Sequence, residues 1–227
     1  MITLYELKGR DDRRYSLFSW RARMALAHKG LAFDTHPVLL SDKPAIAFSG
    51  GRTVPVLRDG GTVVRDSWKI AEYLELHYPE RPSLFGGPVG AGLSQTLNVW
   101  ADRVLVPAMV QVIVADIQER VDPADRDYFR GSMENALKAT IEDLGAGSGK
   151  AAERLQRTLE PLRATLKRQP FFCGAGPAYG DYIVFSVVQW ARIMCPRELL
   201  AADDPLAPWR ESMLDLSGGF ARHAPAA

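Results

Sequence analysis

Three short stretches carry residue types from which a site for an anion and a thiol could be assembled. In RRYSLFSW, Ser16 stands where an amphipathic segment begins, so its hydroxyl can cap a helix. Free N–H groups and the dipole at a helix start also stabilise a thiolate, so a hydroxyl there can hold a bound sulfur as S⁻. Taken alone, Ser16 is explained by capping. A serine nucleophile is not indicated, since no GxSxG stretch and no His–Asp partnership accompany it. In the second stretch, Val54-Pro55 opens an extended run. Proline cannot donate to a ladder, and a cis bond here would turn the Val54 backbone toward a ligand, although X-Pro bonds in general favour trans. In the third, Asp66-Ser67 precedes a helical run. Backbone N–H groups at such a start, with a serine hydroxyl among them, form an anion site, and the carboxylate beside it suits an ammonium. Capping explains the pair by itself; the two functions together fit a zwitterion.

The elements that must position these residues alternate at first. Ile2–Leu7 is β-prone, Trp20 to Lys29 keeps Trp20, Met24 and Leu26 on one side and ends at Gly30, and Phe33–Val38 is again extended. This is a βαβ unit with parallel strands. Val54–Leu57, the turn Arg58-Asp59-Gly60-Gly61 and Thr62–Arg65 form a hairpin, and Asp66-Ser67 opens a helix carrying Trp68, Ile70, Ala71 and Leu74. A Pro- and Gly-rich stretch, residues 79–92, lacks any period and reads as a linker. Beyond it the pattern is helical: Leu93 to Ile117, Asp125 to Leu144, Ala151 to Lys167, Asp181 to Cys195 and Pro205 to Leu216. Pro107 and Pro161 should kink or shift their helices, and GAGSGK, residues 145–150, should be a flexible connection. The fold class is therefore α+β, a mixed four-stranded sheet domain followed by an all-α domain.

With 47% hydrophobic and 24% charged residues, the 227-residue chain has enough apolar material for one large core or two modest ones. Its 28 basic and 27 acidic side chains leave a net charge of +1, so no overall field draws nucleic acid or an anionic membrane. No run approaches the ~18–20 apolar residues of a membrane span, and MITLYELKGRDD lacks a basic-then-apolar leader pattern, so cytoplasmic residence is expected. Cys173 and Cys195 form no CxxC and read as buried thiols, and His28, His36, His77 and His223 show no metal-ligand spacing, so no metal is expected.

Read together, the three stretches and the βαβ-ββα order followed by helices resemble the glutathione transferases over essentially the whole chain. VPVLRDGGTVVRDSWKIAEYLELHYPERPSLF, Val54 to Phe85, is the most specific match. Within that superfamily SLFSWRARMALAHKG, DSWKIAEYL, GDYIVFSVVQW and DDPLAPW look most like the bacterial β-etherase type and its fungal etherase-related relatives. The resemblance implies a thioredoxin-like domain over residues 1–78, a linker over 79–92, an all-α domain over 93–227, a homodimer, and glutathione as cosubstrate. Ser16 matches the residue that donates to the glutathione sulfur. Val54 and a cis Pro55 match the pair that reads the cysteinyl backbone, and Asp66-Ser67 the motif for the γ-glutamyl end. Lys43 and Arg52 lie in the loop that often holds the glycyl carboxylate, though solvated surface charge accounts for them equally.

Two positions depart from the family pattern. Relatives follow the catalytic serine with proline, whereas Leu17 stands here; a looser turn is expected, with Tyr15 and Tyr5 as alternative hydroxyl donors and Ser19 as a weaker one. Ala178 replaces the usual Ser, Thr or Asn cap of the late helix, leaving Asp181 with a structural role in satisfying local N–H groups. The electrophile would bind between the domains, with Phe18, Trp100, Arg103, Met109 and Trp190 as candidates, although such side chains at helical spacing are more often core. The implied activity is attack of the glutathione thiolate on a small hydrophobic or aromatic electrophile, in its sharpest form β-aryl ether cleavage. The alternatives are a non-catalytic protein that binds glutathione or hydrophobic ligands, and a dimerising scaffold.

Overall fold

The computed structural model describes residues Met1–Ala227. Strand β1 (Ile2–Leu7) alternates inward and outward, burying Ile2, Leu4 and Glu6, as a strand with one covered face must. It pairs in parallel with β2 (Phe33–Val38) and antiparallel with β3 (Val56–Asp59), which turns back into β4 (Thr62–Arg65), giving the order β2-β1-β3-β4. Helix α1 (Leu17–His28) is the crossover between β1 and β2, and α2 (Ser67–His77) follows β4. The third strand begins two residues later than the expected Val54, because Pro55 has no N–H to give the ladder; its carbonyl instead accepts the Asp66 N–H at 3.3 Å.

The helical half contains α3 (Pro88–Trp100), a π-turn (Ala101–Leu105), α4 (Val106–Arg120), α5 (Arg126–Leu137), α6 (Ile141–Ala146), α7 (Ser148–Leu166), α8 (Tyr179–Met194) and α9 (Leu206–Gly219). Several expected boundaries move. The stretch 79–92 is not all linker: Pro88 occupies the first turn of α3, where its missing N–H has no intrahelical role. The helix expected over Asp125 to Leu144 is two, separated where Lys138 turns left-handed at φ 55°. GAGSGK is not a flexible connection, for Gly145 belongs to α6 and Ser148 begins α7. Pro107 falls in the first turn of α4, just after the π-turn, and Pro161 lies inside α7.

Residues Pro88–Arg120 form one 33-residue helical rod that is long and apolar enough, by length and composition, to cross a membrane, where no such run was expected. Its α4 part buries Met109, Val112, Ile113, Val114 and Ile117 in the protein core. One cluster of 47 buried residues runs through both domains, and α8, apolar almost all round, packs against α1 at its centre.

Polar bonds tie α1 both to α8 and to the rod. Arg21, 0% exposed on α1, donates to Asn98 (2.8 Å), Asp102 (2.8 Å) and Ser186 (3.3 Å). Gly9 permits a close approach: a Cβ there would lie 2.7 Å from the Arg120 carbonyl oxygen and 3.3 Å from the Tyr15 ring. Asp181, without the usual cap at Ala178, accepts from the backbone N–H groups of Phe172 (2.8 Å), Cys173 (3.2 Å) and Ala178 (3.2 Å) and from Trp209 Nε1 (3.0 Å).

His28 bridges α1 to α8 and to the stretch before α3, its Nε2 donating to the Ser83 carbonyl (3.0 Å) and its Nδ1 accepting from the Tyr182 hydroxyl (2.6 Å). Burial lowers its pKa, against the pull of the Ser83 carbonyl. The unfolded chain therefore takes up this proton more readily than the folded one, and the stability His28 contributes is lost as pH falls below its ordinary value of about 6.5. Urea unfolding at about pH 7.5 and about pH 5.5 should show a smaller pH-dependent loss for His28→Gln than for the wild type; equal losses would refute this assignment.

Candidate active site

A cleft of about 490 Å³ opens between the two domains, and the start of α1, the stretch leading into β3 and the start of α2 all face it. Ser16, Val54, Pro55, Asp66 and Ser67 line it together with Lys43 and Arg52, so the residues of the three stretches and the two loop cations share one cavity.

Ser16 is the N-cap of α1, with Oγ accepting the Ser19 N–H at 3.3 Å, and it is also a wall of the cleft. Accepting that bond leaves its own O–H free to donate. Leu17 does not disturb the turn: it is buried in the main core, which seats the first residue of the helix. Neither tyrosine considered as an alternative donor opens to the cleft. The Tyr15 hydroxyl is buried without a partner, and burial, with the charges of Asp125 and Asp122 nearby, suppresses its acidity. Tyr5 packs on His36 (centroids 4.8 Å apart) and Phe48 (4.9 Å). Ser19 Oγ is buried and unpartnered, away from the cavity lining.

The Val54–Pro55 bond is cis. Asp66 adopts φ 75°, a left-handed conformation that costs a non-glycine residue on the order of 1–3 kcal/mol. Its backbone N–H bond to Pro55 and the bonds from Trp68 N–H (2.9 Å) and Lys69 N–H (3.0 Å) to Oδ1 hold it there, while Oδ2 makes no hydrogen bond. Ser67 is buried, and its carbonyl accepts the Tyr179 hydroxyl of α8 at 2.8 Å.

Two cations without carboxylate partners lie along the cleft. Lys43 Nζ donates to the Leu40 carbonyl at 2.5 Å and stands 5.1 Å from the Tyr128 ring centroid, and neither Lys43 nor Arg52 forms an ion pair. A helix start with a free hydroxyl donor, a second helix start beside an open carboxylate oxygen, and two unpaired cations can hold an extended molecule with an anionic sulfur between charged ends. No group of three or more His, Cys, Asp or Glu side chains is assembled for a metal.

Of the residues expected to contact an electrophile, only Phe18 lines the cleft, 37% exposed and 5.0 Å from the Arg21 guanidinium. Met109 lines a different cavity of about 200 Å³ inside the helical domain, beside Leu155 and Cys195; of the two thiols expected to be buried, Cys195 is, whereas Cys173 is exposed in the stretch before α8. Trp190 is buried in the core, Trp100 is half-buried and packs on it, and Arg103 is exposed on the rod. For Arg103 and Met109 the physical reason is the π-turn at Ala101–Leu105, which rotates the faces within and beyond it relative to a count made at 3.6 residues per turn, whereas Trp190 is taken up by the core because α8 is buried almost all round. Met133 of α5 and Leu39–Leu40 also line the cleft and carry no local signal that marks them as wall residues.

Two family models match the chain. One described as "Glutathione S-transferase, N-terminal domain" matches residues 15–77, and one described as "Glutathione S-transferase, C-terminal domain" matches residues 92–212. "Probable glutathione S-transferase GSTU1" of Oryza sativa subsp. indica is 30% identical over 170 residues, which is 71% of this chain and 62% of that protein. "Glutathione S-transferase Z1" of Arabidopsis thaliana is 45% identical over 71 residues, 28% of this chain and 31% of that one. The matches thus span less than two thirds of either relative's length. Among solved structures, a glutathione S-transferase of Ceriporiopsis subvermispora in complex with glutathione superposes with a TM-score of 0.77 at 22% identity, over 96% of this chain and 92% of that one. The glutathione transferase GSTFuA2 of Phanerochaete chrysosporium gives 0.80 at 23% identity, over 100% and 99%. At such identity the likeness is one of fold.

Proposed function

The chain belongs to the glutathione S-transferase family, and from that membership and the geometry of the cleft we propose that it binds glutathione and activates the thiol for attack on an aromatic or other apolar electrophile. One observation carries the proposal: Ser16, the cis Val54–Pro55 pair and Asp66–Ser67 line a single cavity although they lie far apart in sequence. Ser16 Oγ–H donates to the sulfur, Val54 pairs with the cysteinyl backbone, Asp66 and Ser67 take the γ-glutamyl ammonium and carboxylate, and Lys43 with Arg52 takes the glycyl carboxylate.

In this mechanism the thiol proton passes to water as glutathione binds. The sulfur then bonds to the electrophilic carbon, and the bond from that carbon to its leaving group breaks with the electron pair on the leaving atom. Ser16 lowers the barrier by stabilising sulfur charge and forms no covalent bond. Cleavage of a β-aryl ether, with an aryl oxide as leaving group, is the substrate class we favour, supported by the exposed Phe18 ring at the mouth. A homodimer belongs to the same proposal, supported by the exposed Val89, Leu93, Val99 and Val104 along the rod.

Ultraviolet titration of bound glutathione, alongside conjugation of chlorodinitrobenzene, tests the proposal. The bound thiol should ionise near neutrality instead of near the ~8.5 of a free thiol. Binding with an unmoved midpoint and no conjugation would instead identify a carrier of glutathione.

A further inference from the structure

We propose that Asp125, in the helical domain, is a positioning residue that fixes the ligand-binding loop of the sheet domain and thereby the place of Lys43; this rests on glutathione occupying the cleft. Asp125 is 0% exposed and ends the 3₁₀ turn Pro123–Asp125 immediately before α5. An aspartate in that position ordinarily accepts from the first N–H groups of its own helix. Asp125 makes no such bond. Its carboxylate reaches across to the segment after β2, accepting from Leu40 N–H (2.7 Å), Ser41 N–H (2.8 Å) and Ser41 Oγ–H (2.6 Å). Short bonds to a charged acceptor are the strong kind, and a buried carboxylate needs them all.

The segment so held is a wall of the cleft. Leu39, Leu40, Asp42 and Lys43 line it, and Lys43 Nζ is folded onto the carbonyl of Leu40, the residue whose N–H Asp125 grips. Tyr128, one turn farther along α5, lies 5.1 Å from the same ammonium. The start of α5 therefore holds the loop at its backbone and at its cation, and gives up its own cap to do so. A loop fixed in the binding conformation spares the ligand the cost of selecting it from a mixture, and releasing the loop weakens apparent affinity by the fraction of competent molecules lost. That cost falls on the ligand group the loop meets, which is the carboxylate nearest Lys43.

The test compares glutathione with its glycyl amide, which lacks that carboxylate. Wild-type protein should prefer glutathione. In Asp125→Asn, where one acceptor oxygen must serve three donors, the glutathione Kd should rise about tenfold while the Kd of the amide changes by less than about twofold, collapsing the preference. At saturating glutathione, kcat should stay within about twofold. Ser41→Ala, which removes one donor and leaves the carboxylate bonded to both amides, should shift the preference in the same direction by a smaller factor, and serves where Asp125→Asn folds poorly. Equal weakening of both ligands, or a preference that survives both substitutions, would overturn this inference alone. Wild-type protein that binds neither ligand would overturn the glutathione proposal and this inference with it.

Discussion

Replacing Ser16 with alanine lowers kcat/KM for conjugation roughly a hundredfold, the scale seen when one preorganised donor to a developing anion is removed, and returns the bound thiol's midpoint toward about 8.5. Ser16 Oγ accepts the Ser19 N–H, so its own proton can point into the cleft, and neither the Tyr15 nor the Tyr5 hydroxyl faces it. The glutathione Kd should change little, because the groups for the tripeptide's two ends lie at Asp66–Ser67 and at Lys43 and Arg52. Loss of the cap will cost about 1 kcal/mol of stability, so activity must be compared at a temperature where both proteins are folded. Ser16→Thr, which keeps a hydroxyl, should recover most of the rate. If Ser16→Ala retains wild-type kcat/KM while Tyr15→Phe loses it, the serine is only a cap.

Asp181→Ala should be the most destabilising single substitution we foresee in the helical domain. The carboxylate satisfies three backbone N–H groups before and at the start of α8 and the indole of Trp209 from α9. Alanine leaves these four donors without that acceptor and opens a cavity beside Phe172, whose ring meets Trp209 at 4.9 Å. Removing one partner from a buried charged network costs roughly 3–5 kcal/mol, which for a chain of this size lowers Tm by about 10 °C. Calorimetry on the two proteins measures this directly, and a fall of under about 1 kcal/mol would show that water replaces the carboxylate without penalty. Asp181→Asn, which keeps one acceptor, should lie between the two.

The sheet domain was legible from local pattern. Strands β1, β2 and β4 begin and end at the expected residues because their flanking turns carry clear signals, and Ser16 and Asp66 cap α1 and α2 as their residue types suggest. Convergence of the three stretches followed from family resemblance, since no spacing rule joins residue 16 to 54 or 66. The helical wall was less legible for two physical reasons. The π-turn changes the phase of the rod, so faces counted from Leu93 no longer hold at Arg103 or Met109. Asp125 reads locally as an ordinary helix cap, and its partners lie 84 and 85 residues away, where only the folded chain brings them together.

The buried cluster that runs from β1 through α1 into α8 has a consequence for folding cooperativity. Trp20, Met24 and Leu26 of the sheet domain and Ile183, Val184 and Val187 of α8 belong to the same hydrophobic interior. Separating the halves would expose that interior on both, so neither half is expected to hold its structure without the other and the whole chain should unfold as one unit. A boundary that is plain in secondary structure is thus absent in energy, and a substitution deep in α8 can alter the shape of the cleft without touching any residue that lines it.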